Sequence, residues 1–182
     1  VEVAPDKLYS VLFNSALEAD KDAGGLINFS FLSGENITDT QDGRPLFVRT
    51  PHSKMSLGNF MLAQLYSAFA TLKIGMDILI NEENVKCDVM LAQGGIFKTP
   101  IVGQQVLADA LEIPITLMES AGEGGPWGMA VLAAFAKFNE TGKALPDYLD
   151  EVVFKDAAST TLKPRPEGVE GCRKYIDRCR KA

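Results

Sequence analysis

The chain has 182 residues, 46% of them hydrophobic and 23% charged, with only 9 prolines, enough for one sizeable core and too regular in composition for global disorder, collagen or coiled coil. Its 18 Lys plus Arg against 24 Asp plus Glu give a formal charge of -6, the wrong sign for a surface that displaces counterions from a phosphate backbone, so nucleic acid is not an expected partner. No apolar run approaches the roughly 20 residues that span a bilayer, the first residues lack a leader's basic and apolar regions, and the expectation is a cytoplasmic protein away from membranes.

Pro5 to Asp20 reads as a helix with proline in its first turn and Leu8, Leu12 and Leu17 on one face, stopped at Asp22-Ala23-Gly24-Gly25. A strand is expected over 26–32, followed by a long connection, 33–53, without sustained periodicity; ordered loops of that length usually act or cover something. From Ser56, a fair N-cap, the apolar spacing Leu57, Phe60, Met61, Leu65, Phe69, Leu72, Met76, Leu79 marks a long amphipathic helix explained by core packing. Then 85–93 reads as a strand, Gly94-Gly95 as a turn, and Thr99-Pro100 to Leu111 as a helix with Thr99 as N-cap. The unit repeats: a strand over Ile113 to Met118, a glycine-rich turn over 120–126, and a helix from Trp127 to Phe138. A short helix around Pro146 to Val152 and an amphipathic one from Glu167 to Arg180, striped by Val169, Cys172, Ile176 and Cys179, close the chain. Strand, glycine turn, helix, twice over, implies an α/β layer with a largely parallel sheet.

In open α/β sheets, ligands enter where loops and helix amino termini meet the carboxyl ends of the strands. Both glycine turns belong to that edge, and a bare backbone beside unpaired N–H groups suits a nucleotide, although a tight structural turn explains Gly94-Gly95 equally well. Individual motifs fail. Gly142-Lys143 is followed by Ala144, which excludes a P-loop, and 122–128 places Trp127 and Glu123 awkwardly for a dinucleotide fingerprint. Met118 precedes Glu119-Ser120, not the glycine of a nucleophile elbow, and the one histidine, His52, lies in an unrelated loop. Three scattered cysteines give no disulfide framework, Cys172 and Cys179 standing about 10 Å apart along a helix, and zinc ligands are too few.

Leu32-Ser33-Gly34-Glu35, the helix around Ala63 to Ala70, Gln93-Gly94-Gly95-Ile96-Phe97-Lys98-Thr99-Pro100, Gln105 to Ile115, and Glu123 to Ala134 form a set of segments in fixed order. Taken together, they resemble the carboxyl-terminal domain of the FGGY family of carbohydrate kinases, in particular its xylulokinase-like and ribulokinase-like members. The resemblance implies an actin-like ATPase, ribonuclease-H-like α/β fold with a mixed sheet of parallel strands flanked by helices, residues 1–182 being the ATP-binding half of a two-domain kinase. The opening Val1 fits a processed or partial chain. Gly94 and Gly95 would pass the adenosine of ATP and Thr99 would face the nucleotide, with Mg2+ accompanying it. The amino-terminal half, absent here, would hold the sugar, a ketopentose such as xylulose, along with the phosphate-binding turns and the catalytic aspartate. No general base is assigned to this chain, and a homodimer is among the open oligomeric states. Ile96-Phe97 adds bulk where relatives carry small residues, and Asn36-Ile37-Thr38 replaces their Arg-Thr-Pro. Two rivals stand beside this reading: a non-catalytic α/β assembly module whose long helix faces a partner, and a dinucleotide oxidoreductase domain that binds NAD at Gly122 to Gly125.

Overall fold

A computed structural model describes residues 4–139 and 142–182, so Val1-Glu2-Val3, read above as lacking a leader, lie outside the described residues, as do the side chains of Asp6 and Glu123. Helix α1, Pro5–Ser15, starts on its proline and passes into a 3-10 turn, Ala16–Glu18, so the regular helix ends five residues before the expected Asp20. Among the described side chains of this region only Ala16 and Ala19 are buried; of the expected apolar face, Leu8 is exposed and Leu17 packs partly against the core.

Strand β1, Ile27–Phe29, pairs antiparallel with β2, Leu46–Val48, with Asn28 opposite Phe47. The second strand was invisible in the sequence because a three-residue strand inside a 21-residue connection shows no alternation. Helix α2, Leu57–Asp77, begins as expected: the Ser56 hydroxyl accepts the Asn59 N–H at 3.1 Å. Its buried face runs through Leu62, Leu65, Tyr66 and Phe69, and the helix widens into a π turn, Ile78–Glu82. Leu57, Leu72 and Leu79, assigned to the core by spacing, are exposed, because α2 turns a somewhat different face to its neighbours than its leucines alone suggest.

The second sheet has the order β3-β4-β5: β3, Met90–Leu91, runs parallel to β4, Ile115–Met118, which pairs antiparallel with β5, Ser159–Leu162. A parallel pair needs a crossover, supplied by α3, Val102–Leu111, every residue of which is buried. The expected 85–93 strand contracts to two ladder residues, Met90 and Leu91, opposite Ile115 and Thr116 of β4. Helix α4, Gly124–Phe138, begins three residues before Trp127; a short α5, Leu145–Tyr148, and α6, Pro166–Cys179, complete the chain.

The core lies where α2, α3 and α6 meet both sheets, with Leu26, Leu65, Leu111, Ile115 and Tyr175 wholly enclosed. Each such side chain contributes about 1.5–3 kcal/mol on burial. The Tyr175 hydroxyl accepts the Asn28 N–H at 3.1 Å and faces the carbonyls of Asn28 and Ala63, tying α6 to β1 and α2. Polar side chains fix α3 in place: Gln104 donates to the carbonyls of Ile115 and Thr160, and the buried Asp109 carboxylate accepts from the Arg165 backbone and guanidinium and from Gln105. The three cysteines are free thiols, and no helix among the described residues is long and apolar enough to cross a membrane.

Candidate functional site

Beyond β3 the chain turns sharply at Gly94, whose φ of 134° and ψ of 168° belong to a region open essentially to glycine alone. Its N–H donates to the Ala121 carbonyl at 2.8 Å, which joins the first glycine turn to the second across the strand ends. Gly95 then opens a single 3-10 turn, Gly95–Phe97, closed by Phe97 N–H to Gly94 and Lys98 N–H to Gly95, both at 3.1 Å. A Cβ built on either glycine meets no atom within 4 Å. The corner is therefore bare backbone facing open space.

The bulk of Ile96-Phe97 does not close it. Phe97 packs against the core beneath the turn, where α3 comes close enough that a Cβ on Gly103 would stand 2.9 Å from the Ile96 carbonyl. Trp127 is also turned away, its ring 5.6 Å from that of Phe154.

Thr99 is not the cap of α3. That helix starts at Val102, after Ile101 at φ 73°, with no side-chain cap. The strained Ile101 and the Val102 N–H to Pro100 carbonyl bond, 2.9 Å, set a tight bend between the turn and the helix, so Thr99 lies one bend too early to reach the first helical N–H groups. Its side chain, 9% exposed, makes no hydrogen bond among the described residues and borders a cleft of about 790 Å³ with Gly95, Ile96, Lys98 and Pro100. The opposite wall is α1, through Tyr9, Ser10 and Phe13, which sequence reasoning missed. The signal was there: a helix this poor in buried residues, with Tyr9 60% exposed, has an aromatic face left for something else.

The second glycine turn behaves differently. The position in front of Gly124 is occupied by the Gln93 side chain, and a Cβ on Gly122 would meet the Lys98 stem at 3.2 Å. Gly122 and Gly124 let the two turns pack together, whereas a Cβ on Gly125 would meet no atom within 4 Å. Chemically, the first corner presents main-chain groups, one hydroxyl and the Lys98 ammonium. In the core under α2 and α6, burial raises the Tyr66 and Tyr175 phenols and pushes the Cys172 thiol up to about 12.

Helices on a mixed sheet with parallel strands, with a glycine corner at the strand ends, make this an α/β domain. The family model "FGGY family of carbohydrate kinases, C-terminal domain" matches residues 2–137, and the chain belongs to that family. Solved structures share the fold. The gluconate kinase from Lactobacillus acidophilus superposes with a TM-score of 0.68 at 21% identity, over 93% of this chain and 33% of that one. The xylulose kinase from the same organism gives 0.67 at 22%, over 93% and 33%. Plasmodium falciparum glycerol kinase, solved with ADP, gives 0.68 at 17%, over 94% and 33%. The chain thus spans about a third of the length of these kinases. No curated protein matches it in sequence.

Proposed function

We propose that the chain is the nucleotide-binding half of an ATP-dependent sugar kinase, whose other half holds a ketopentose such as xylulose and the catalytic aspartate. The observation that carries the reading is the open corner at Gly94 and Gly95 beside the unengaged Thr99 hydroxyl. A purine can lie flat only where no side chain intervenes, and the Gly94 conformation keeps that surface bare at the cost of a glycine-only backbone. Thr99 would hydrogen-bond the nucleoside, Tyr9 and Phe13 would cover it across the cleft, and Lys98 would place one positive charge nearby.

Phosphoryl transfer asks of a protein mainly positioning and charge stabilisation, and this half would contribute the positioning. Mg2+, the expected companion of ATP, favours phosphate, carboxylate and water oxygens; among the described residues no three His, Cys, Asp or Glu gather to hold it. On this reading the isolated chain binds ATP weakly and phosphorylates nothing.

Gly95→Val is the clean test. A Cβ there meets nothing, so the fold should stand while the branched side chain fills the adenine position. Calorimetric titration should show saturable ATP binding lost in the variant with an unchanged melting temperature; equal binding by both proteins would sink the proposal. The assembly-module reading draws on one observation. Helix α4 is apolar along most of its length yet has no buried residue, with Met129 and Phe138 about 70% exposed. It predicts self-association or protein capture through α4 and indifference to ATP. The long helix α2, assigned that role from sequence, is instead packed into the core.

A further inference from the structure

A second cavity, of about 380 Å³, shares no lining residue with the nucleotide cleft. Its floor is α2 at Ala70, Thr71 and Ile74. One wall is the β1-β2 hairpin with Phe29 and Phe31, and the other is the carboxyl end of α6 with Ile176 and Cys179. The long 33–45 connection closes over it through Thr38, Thr40 and Arg44. This gives the connection a physical role: it roofs an apolar chamber between a helix and a hairpin.

The charges at the rim are of one sign. Arg44 and Arg180 are the charged residues lining the cavity, and neither guanidinium has an ion-pair or hydrogen-bond partner among the described residues. Three other arginines are engaged, Arg165 with Asp109, Arg173 with Glu112 and Arg178 with Asp22, while Arg49 is unengaged like these two but lines no part of the cavity. In a chain of charge -6, two unengaged guanidinium groups on one apolar opening form a cationic mouth. A guanidinium is built to grip a carboxylate with two parallel hydrogen bonds, and a cavity of this size, apolar inside with a few polar groups at its edge, is typical of small-molecule sites.

We infer that this cavity binds a small amphipathic carboxylate, its aromatic or aliphatic body among Phe29, Phe31, Ile74 and Ile176 and its carboxylate at Arg44 and Arg180. The occupant is a free acid, since the apolar interior accepts the body and the rim accepts only negative charge. Because the roof is the 33–45 connection, occupation orders that connection, and the site acts on the hairpin rather than on the nucleotide corner. The inference stands independently of the ATP reading.

The test uses the purified chain with three probes, 3-phenylpropionate, octanoate and indole-3-acetate, each against its neutral amide. The expected result is saturable binding of at least one acid, about tenfold tighter than its amide. Arg44→Gln and Arg180→Gln should each weaken it about tenfold, and Ala70→Leu, which fills the floor, should abolish it. Both arginines are exposed, so their substitution leaves folding intact, as a melting curve will verify. Hydrogen exchange should slow in 33–45 and at the end of α6. Amides binding as well as acids, variants binding like the parent, no saturation by any acid, or protection at 94–99 instead would each overturn the inference.

Discussion

The two glycine turns at the strand ends use the same residue for opposite purposes. At 94 and 95 the missing side chains leave open space, while at 122 and 124 the neighbouring Lys98 and Gln93 fill it. Glycine content therefore does not identify a ligand surface; what lies in front of the Cα does. The hydrogen bond from Gly94 to Ala121 makes one turn the support of the other, so the packed turn fixes the geometry of the open one.

Removing what stands behind both turns should have the largest effect. Asp109→Ala leaves Arg165 without its carboxylate and loosens α3, on whose amino terminus the first turn rests; chemical denaturation should report a loss of about 3 kcal/mol, at the low end for a buried pair because Arg165 keeps part of its side chain in water. Gly94→Ala forces a Cβ into the glycine-only region and should cost about 1–3 kcal/mol although nothing obstructs it in space. Gly124→Ala reverses that logic: the helical backbone is permissive, but the Cβ lands on Gln93, for about 1–2 kcal/mol of overpacking that Gln93→Ala should partly relieve in a double-mutant cycle.

Gly95→Val completes the contrast, with a stability change within about 0.5 kcal/mol and complete loss of nucleotide binding. Equal damage to stability at 94, 95 and 124 would erase the distinction between open and packed glycines. The smallest effect is expected from the surface network at the far end of α3. Burial raises the Glu112 carboxyl, but Arg173 and Lys73 outweigh it and hold the group below the usual carboxylate range. A depressed folded-state pKa means stability present above the unfolded value and lost as acid protonates Glu112 in the native protein. Glu112→Gln should flatten the acid limb of a melting-temperature profile slightly, and the difference should shrink at high salt.

Much of the site could be read along the chain. Gln93 to Pro100 is contiguous, its glycines announce a turn, and the strand before and helix after place it at the sheet's ligand edge. Thr99 borders the cleft beside the corner, but its role was ambiguous in sequence because Thr-Pro is also a good helix start, and only the bend at Ile101 takes it out of capping range. Tyr9 and Phe13 were hidden by distance: they reach the cleft from α1, more than eighty residues upstream, by a packing that no local spacing encodes. The close packing in front of Gly122 and Gly124 likewise depends on Lys98 and Gln93, contributed by another segment.

By itself the sequence determined the order of the helices and of β1, β3 and β4, the Ser56 cap, the parallel unit through α3 and the glycine corner, because these follow from periodicity and backbone permissiveness within a few residues. Tertiary structure decided the rest. β2 and β5 exist as strands only through partners elsewhere in the chain, Ser159 lying opposite Met118 and Leu46 opposite Phe29. Which glycines face space and which face side chains was settled in the same way, since the room in front of a Cα belongs to whatever segment folds against it, and free volume, unlike propensity, has no local signature.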